Sequence, residues 1–277
     1  MLRIALLTAL AMLAFAGNSL LCRIALRDSD LDPASFTAIR LISGALVLAV
    51  LVMLRRQEPI RGDWRSAMAL FGYAAGFSFA YVELDAGSGA LILFGAVQAS
   101  MIGYGWLKGE RLRPLQLFGL VCALGGLLFL LLPGASAPPP QAAGLMVLAG
   151  VAWAFYSLLG RGNADPLAAT AGNFLRSLPA LLPLAALYLE QLRWDGLGAL
   201  YAVLSGALAS GIGYAIWYAA LPHLKAIQAA SVQLSVPIIA ATLGALLLGE
   251  TLGPRLLLAS VAVLGGIALI LLAKRRA

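Results

Sequence analysis

The chain alternates long apolar runs with short polar punctuation. Runs of about twenty mostly apolar residues fall at 4–26, 34–54, 65–83, 86–107, 114–132, 142–160, 167–189, 196–217, 225–248 and 255–273. A helix rising 1.5 Å per residue needs about that length to cross a hydrocarbon core near 30 Å thick. The connections are short and rich in Pro and Gly, as at Asp28–Pro33, Lys108–Arg113 and Gly249–Pro254. In lipid, continuous apolar runs must be helices, because open strands would leave backbone groups unpaired. The pattern therefore predicts an all-α membrane protein of about ten transmembrane helices, with no room for a soluble domain.

Composition agrees. Of 277 residues, 62% are hydrophobic and 11% charged, and the mean hydropathy is +0.94. Soluble domains carry about a quarter charged residues. The net charge of +7 does not indicate a nucleic-acid partner, since the basic residues sit in loops and form no stripe interleaved with aromatics. Arg3, the run Ile4–Leu13 and Ala14-Phe15-Ala16 imitate a cleavable signal. The apolar run continues through Leu20-Leu21, so this segment is expected to remain as span one.

Charge sidedness sets the orientation. With the N-terminus inside, Arg55, Arg56, Arg61, Arg65, Lys108, Arg111, Arg113, Arg161 and Lys225 join both termini on the cytoplasmic side. Acids dominate the other side, at Asp28, Asp30, Asp32, Glu83, Asp85, Glu190, Asp195 and Glu250. The expected location is the inner (cytoplasmic) membrane of a cell, multi-pass, with both termini cytoplasmic.

The second half repeats the first. Gly109-Glu110-Arg111-Leu112-Arg113-Pro114 recurs 140 residues later as Gly249-Glu250-Thr251-Leu252-Gly253-Pro254. Near the start, Ala14-Phe15-Ala16 with Ser19-Leu20-Leu21 and Arg23 echoes Ala152-Trp153-Ala154 with Ser157-Leu158-Leu159 and Arg161. Two five-helix repeats, 1–137 and 138–277, are expected in one membrane unit. An odd number of spans inverts the second copy, an architecture of many secondary transporters.

The G-E-x-L-x-P block, the two-by-five layout and the aromatic–small start of spans one and six resemble the drug/metabolite transporter superfamily, in its EamA-like ten-helix branch. The resemblance covers essentially the whole chain. It implies export or uptake of amino acids, metabolites or drugs across the bacterial inner membrane, through a central cavity lined by spans 1, 3, 4, 6, 8 and 9; export is the direction expected here. Pro237 matches the proline such proteins carry in span nine, whereas the symmetric position in span four is Val97.

On those spans, buried polar and aromatic residues are the candidate cavity lining. Asn18 lies in span one, Gln98 in span four and Gln233 in span nine, with Gln228 nearby. An amide in hydrocarbon is costly, so each either reads a solute or bonds a neighbouring helix. Tyr73 and Phe77 (with Tyr81) share a face of span three, Trp153 and Tyr156 lie in span six, and Tyr214, Trp217 and Tyr218 share a face of span eight. They would suit a flat amphipathic solute; an interfacial aromatic belt is the alternative for Tyr81, Trp217 and Tyr218. Arg40 and Arg176 are intramembrane cations, the first within snorkelling reach of the surface, the second deeper. Pro237 is a candidate hinge, preceded by Ser231, Gln233 and Ser235. The repeat-matched pairs Glu110/Glu250 and Arg23/Arg161 are assigned structural or gating roles, the glutamates as caps of the following helix.

No acid lies in the middle of any span, and Cys22, Cys122 and the lone His223 form no ligand pattern. Two structural thiols are expected, although the sequence is also compatible with one disulfide. No metal, no cofactor and no enzymatic activity are expected. A membrane enzyme, a channel and a non-transporting scaffold are the competing readings. The expected partners are a small solute and the bilayer, with monomer and homodimer equally compatible.

Overall fold

The computed structural model describes residues 2–55, 59–109, 113–134, 137–160, 163–224 and 232–275, with side chains to 272. Glu110, Arg161, Gln228 and Ser231 lie outside the described residues. Those described form helices and no strands.

The first half is α1 (Leu2–Arg27), α2 (Pro33–Arg55), α3 (Trp64–Tyr81), α4 (Ala86–Leu107) and α5 (Pro114–Leu131). The second is more broken. After α6 (Pro140–Leu159), span seven is α7 (Pro166–Ser177) and α8 (Leu181–Leu187), separated by a 3₁₀ turn around Pro179. Span eight is α9 (Gly196–Leu204), a π-helical segment (Ser205–Ile212) and α10 (Gly213–Ala220). Span nine is described from Val232 and continues as α11 (Ser235–Leu248); α12 (Pro254–Arg275) is span ten. Seven of these segments are long and apolar enough to cross a membrane. Span three carries Arg65, Ser66 and two tyrosines, span seven is interrupted, and span nine is described only from Val232, so they fall below that measure while completing the ten-span plan.

Local chemistry explains the boundaries. Pro opens α2, α5, α6, α7 and α12, where its missing N–H costs nothing. Asp63 caps α3 by accepting from Ser66 N at 2.8 Å, and Asp195 caps α9 through Gly198 N at 2.6 Å. The glycines of the repeated block end α4 and α11 in the left-handed region, at φ +88° for Gly109 and +64° for Gly249.

Several of the main helix contacts of one half recur between their counterparts in the other. Contacts of α3 with α6 are mirrored by α10 with α1, those of α4 with α6 by α11 with α1, and those of α2 with the π segment by α7 with α3. Three further pairs, α2 with α7, α4 with α11 and α5 with α12, map onto themselves. This is the contact pattern of a two-fold axis relating two five-helix repeats.

The solvent order of a soluble protein is reversed. Large apolar side chains such as Leu46, Leu128 and Val261 point outward, whereas Asn18, Ser19, Arg40, Thr170, Asn173 and Ser205 are buried. Lipid rewards the first arrangement and forces the second, since polar groups must find partners inside.

Candidate functional site: a cavity between the two halves

A cavity of about 490 Å³ lies between the halves, within the range of small-molecule sites. Its wall draws on spans 1, 3, 4, 6, 8 and 9, and span seven adds Ala169, Thr170 and Asn173. It reaches one end of the bundle, where exposed Asn163 with Gly160, Pro166 and Pro222 forms the mouth.

The wall is largely aromatic and centred on Trp153. This ring lies 4.7 Å from Tyr73, 5.5 Å from Tyr214 and 5.4 Å from Tyr156, centroid to centroid. Phe15 meets Tyr214 and Trp217 edge-on at 5.8 and 6.0 Å. Phe15 and Trp153 are repeat counterparts, as are Phe77 and Trp217, and all four line the cavity. The two-fold therefore places matched rings around one volume.

The structure brings together Asn18, Tyr73, Phe77, Trp153, Tyr156, Tyr214, Trp217 and Gln233 in this lining. Tyr218 is there too, and Tyr81 is fully buried, so neither sits in an interfacial belt. Gln98 and Arg176 lie outside the lining. On α4 the wall is formed by Leu93, Phe94, Val97 and Met101, and Gln98 is rotated by one residue from the 93–97–101 stripe while remaining buried. The Arg176 side chain runs back along α7, where its Nη1 donates to Gly172 O at 3.4 Å and lies beside Gly62. Its neighbour Asn173 faces the cavity and accepts from Asp63 N at 2.9 Å.

Pro237 is buried in the first turn of α11, after a turn at Leu234. The helix is interrupted there, and Ser235 Oγ bonds Val232 O at 2.6 Å across the interruption. Span four, with Val97 at the matching position, is continuous. Cys22 and Cys122 are free thiols.

The other end of the cavity is closed by a layer one helical turn thick. Moving from Ser19 to Arg23 on α1 and from Phe77 to Tyr81 on α3 leaves the cavity and enters a polar cluster. Arg23 Nη1 donates to Tyr81 O at 3.1 Å and Val82 O at 2.8 Å, and Nη2 pairs with Asp85 at 3.3 Å. Arg23 Nε lies 3.4 Å from Glu250 Oε1. Glu250 also accepts from Ala86 N, at 2.9 Å to Oε2. It thus caps α4 of the opposite half, not α12 that follows it, because α4 begins without a side-chain cap from Asp85. Burial pushes the Glu250 carboxyl above its ordinary range, against the opposing pull of the Ala86 N–H and Arg23. Beyond this layer lies a second cavity of about 250 Å³, lined in part by Glu83, Asp85, Ser88 and Thr251.

Sequence reasoning did not single out Thr170, whose Oγ1 accepts from the Tyr156 hydroxyl at 3.4 Å. A threonine one turn after a proline-opened helix start carries no signal of its own. Nor did it place Arg40 inside the protein, where it is 2% exposed.

The EamA-like transporter family model matches the chain twice, over residues 2–132 and 141–272. The chain belongs to the EamA-like transporter family. It is 66% identical to Uncharacterized protein PA1977 of Pseudomonas aeruginosa over 271 residues, covering 97% of this chain and 94% of that protein. It is 26% identical to an uncharacterized transporter of Archaeoglobus fulgidus, over 85% of this chain and 86% of that one. With Uncharacterized transporter YoaV of Bacillus subtilis it shares 21% over 86% of this chain and 87% of the relative. A protein crystal structure superposes with a TM-score of 0.68 over 99% of both chains at 21% identity, a likeness of fold alone. As an EamA-like protein, the chain is a multi-pass membrane protein of a solute-transport family.

Proposed function

We propose that this EamA-like protein is a secondary transporter that moves a small amphipathic solute by alternating access. The halves 1–137 and 138–277 rock about the cavity between them, and the expected net direction is export across the inner membrane. The observation that carries this reading is the one-sided cavity. Its aromatic wall comes from both halves, it is open at the Asn163–Pro222 end, and it is sealed at the other by the cross-half pair Arg23–Glu250. With both termini cytoplasmic, as the charge sidedness suggests, the mouth faces the cytoplasm.

The pseudo-two-fold supports the movement. Two inverted repeats offer two equivalent arrangements of one set of contacts, so a sealed end and an open end can exchange. The π segment in span eight and the break before Pro237 in span nine are natural places to absorb such a change.

Flux measurement tests the reading. Purified protein in proteoliposomes is expected to carry aromatic, amphipathic solutes saturably. Tyr214→Ala and Gln233→Ala are each expected to cut that flux about tenfold, the scale of one lost binding contact. Flux that does not saturate identifies a channel; saturable flux unchanged in both variants overturns the site.

A further inference from the structure

Arg40 lies seven residues into α2, about 10 Å along the helix at 1.5 Å per residue. A guanidinium buried at membrane depth normally pairs with an acid or reaches water. Among the described residues, Arg40 does neither. No carboxylate lies within ion-pair distance, and Nη1 has no hydrogen-bond partner. Every acid of the chain falls in a connection between spans or at a helix end. What Arg40 touches is the cavity wall from behind: the Tyr73 and Phe77 ring faces at 5.1 and 4.8 Å, and the Tyr73 hydroxyl, to which Nη2 donates at 3.1 Å.

The Tyr73 hydroxyl also accepts from Asn18 Nδ2 at 3.4 Å, and Asn18 Oδ1 accepts from Ser205 Oγ at 2.6 Å. Both donor chains therefore end on one phenolic oxygen. With its lone pairs engaged, that oxygen has only its own proton left to offer, and that proton has no acceptor among the described residues. Tyr73 lines the closed end of the cavity. Polarisation by a guanidinium and an amide strengthens the remaining O–H as a donor.

We propose that this pair is an anion-recognition site, so that the solute carries a carboxylate on an aromatic or otherwise apolar body. The carboxylate accepts the Tyr73 proton at the closed end, and the body stacks on Trp153 and Tyr214. Arg40 is a positioning residue that supplies the compensating charge through Tyr73. A bare aromatic cage would favour cations; the fixed positive charge behind this wall reverses that preference. The inference rests on the transporter reading for the solute's passage, but not for its binding.

Three probes of one shape test it at pH 7: 3-phenylpropionate, its neutral amide, and 3-phenylpropylamine. Binding to purified protein is read by thermal shift and by quenching of Trp153 and Trp217. The acid is expected to half-saturate at about tenfold lower concentration than the amide, with the amine weaker still, the scale expected of one charge-assisted hydrogen bond. Tyr73→Phe keeps the ring and is expected to abolish the preference; Arg40→Gln is expected to do the same, and Arg40→Lys to keep part of it. Equal binding of the three probes, a preference for the amine, or no binding at all overturns the site. So does an acid preference that survives Tyr73→Phe. Proteoliposome flux separates the two readings. Acid that binds with this preference but is not carried refutes transport and leaves the site standing, whereas saturable carriage of the amine alone does the reverse.

Discussion

Arg23 of the first repeat and Glu250 of the second meet at 3.4 Å on the sealed side of the cavity, with side chains only 10% and 5% exposed. The same carboxylate caps α4 through Ala86 N. One glutamate therefore joins three elements, α1, the start of α4 and the α11–α12 connection. On the proposed alternating-access reading it is a latch between the halves, which opening of this face would have to break.

Removing Arg23 leaves Glu250 held by the Ala86 N–H, and removing Glu250 leaves Arg23 with Asp85 and two carbonyls. The loss is therefore expected to fall below about 3–5 kcal/mol, the figure for a buried pair left wholly uncompensated. Arg23→Ala and Glu250→Ala are each expected to lower the melting temperature and to expose the cavity from the sealed side. With Cys22 and Cys122 replaced by Ser, a Ser19→Cys probe reports that exposure through an impermeant maleimide. Labelling unchanged by either substitution would show that the latch does not hold this face shut.

The latch also predicts a pH dependence. Burial raises the Glu250 carboxyl above its ordinary value in the sealed state. A state in which Glu250 faces water binds its proton only at lower pH. Between the ordinary and the raised value the sealed state takes up the proton first, so acidification favours sealing and alkaline pH favours opening. Ser19→Cys labelling from the sealed side is expected to fall as pH is lowered through that window, and Glu250→Gln to flatten the profile.

Trp153 is the hub of the aromatic wall, within 5.5 Å of Tyr73, Tyr156 and Tyr214. Ring contacts of this kind are worth about 0.5–1.5 kcal/mol each beyond the area they bury. Trp153→Ala is expected to weaken solute binding by about tenfold or more, and Trp153→Phe to restore most of it, read as a change in KM for flux.

The α5–α12 contact depends on glycine. A Cβ on Gly126 would lie 2.7 Å from Ala262 Cβ, and side chains at Gly119 or Gly266 would run into the facing backbone. Gly126→Leu is expected to destabilise by about 1–3 kcal/mol or more, as overpacking does, and to lower the melting temperature without touching the cavity. Gly125, whose Cβ would meet nothing within 4 Å, is the control: Gly125→Ala is expected to leave the melting temperature nearly unchanged.

The ten-span plan, the repeat and the helix ends were legible in the sequence because they are local properties. Hydropathy over twenty residues, a proline at a helix start and Gly109 or Gly249 at a helix end each act within a few turns. Charge sidedness could be read in the same way. The candidate lining was legible in residue type: an Asn, a Gln or a Tyr inside an apolar run must find a partner in protein or cavity. Which partner it finds is not local. A membrane helix is apolar toward lipid as well as toward its neighbours, so its periodicity does not mark an inward face. That is why Gln98 and Tyr73 look alike in sequence, although Tyr73 lines the cavity and Gln98 is buried just outside the lining. The same ambiguity hid Arg40, whose snorkelling reach and buried position differ only by the rotation of α2. Glu250 was recognisable as a cap, but only the packing of the two halves decided that it caps α4 and meets Arg23. The sequence by itself determined a ten-span inverted repeat. Tertiary structure decided where its few polar groups converge, because that depends on how each helix is rotated against the others.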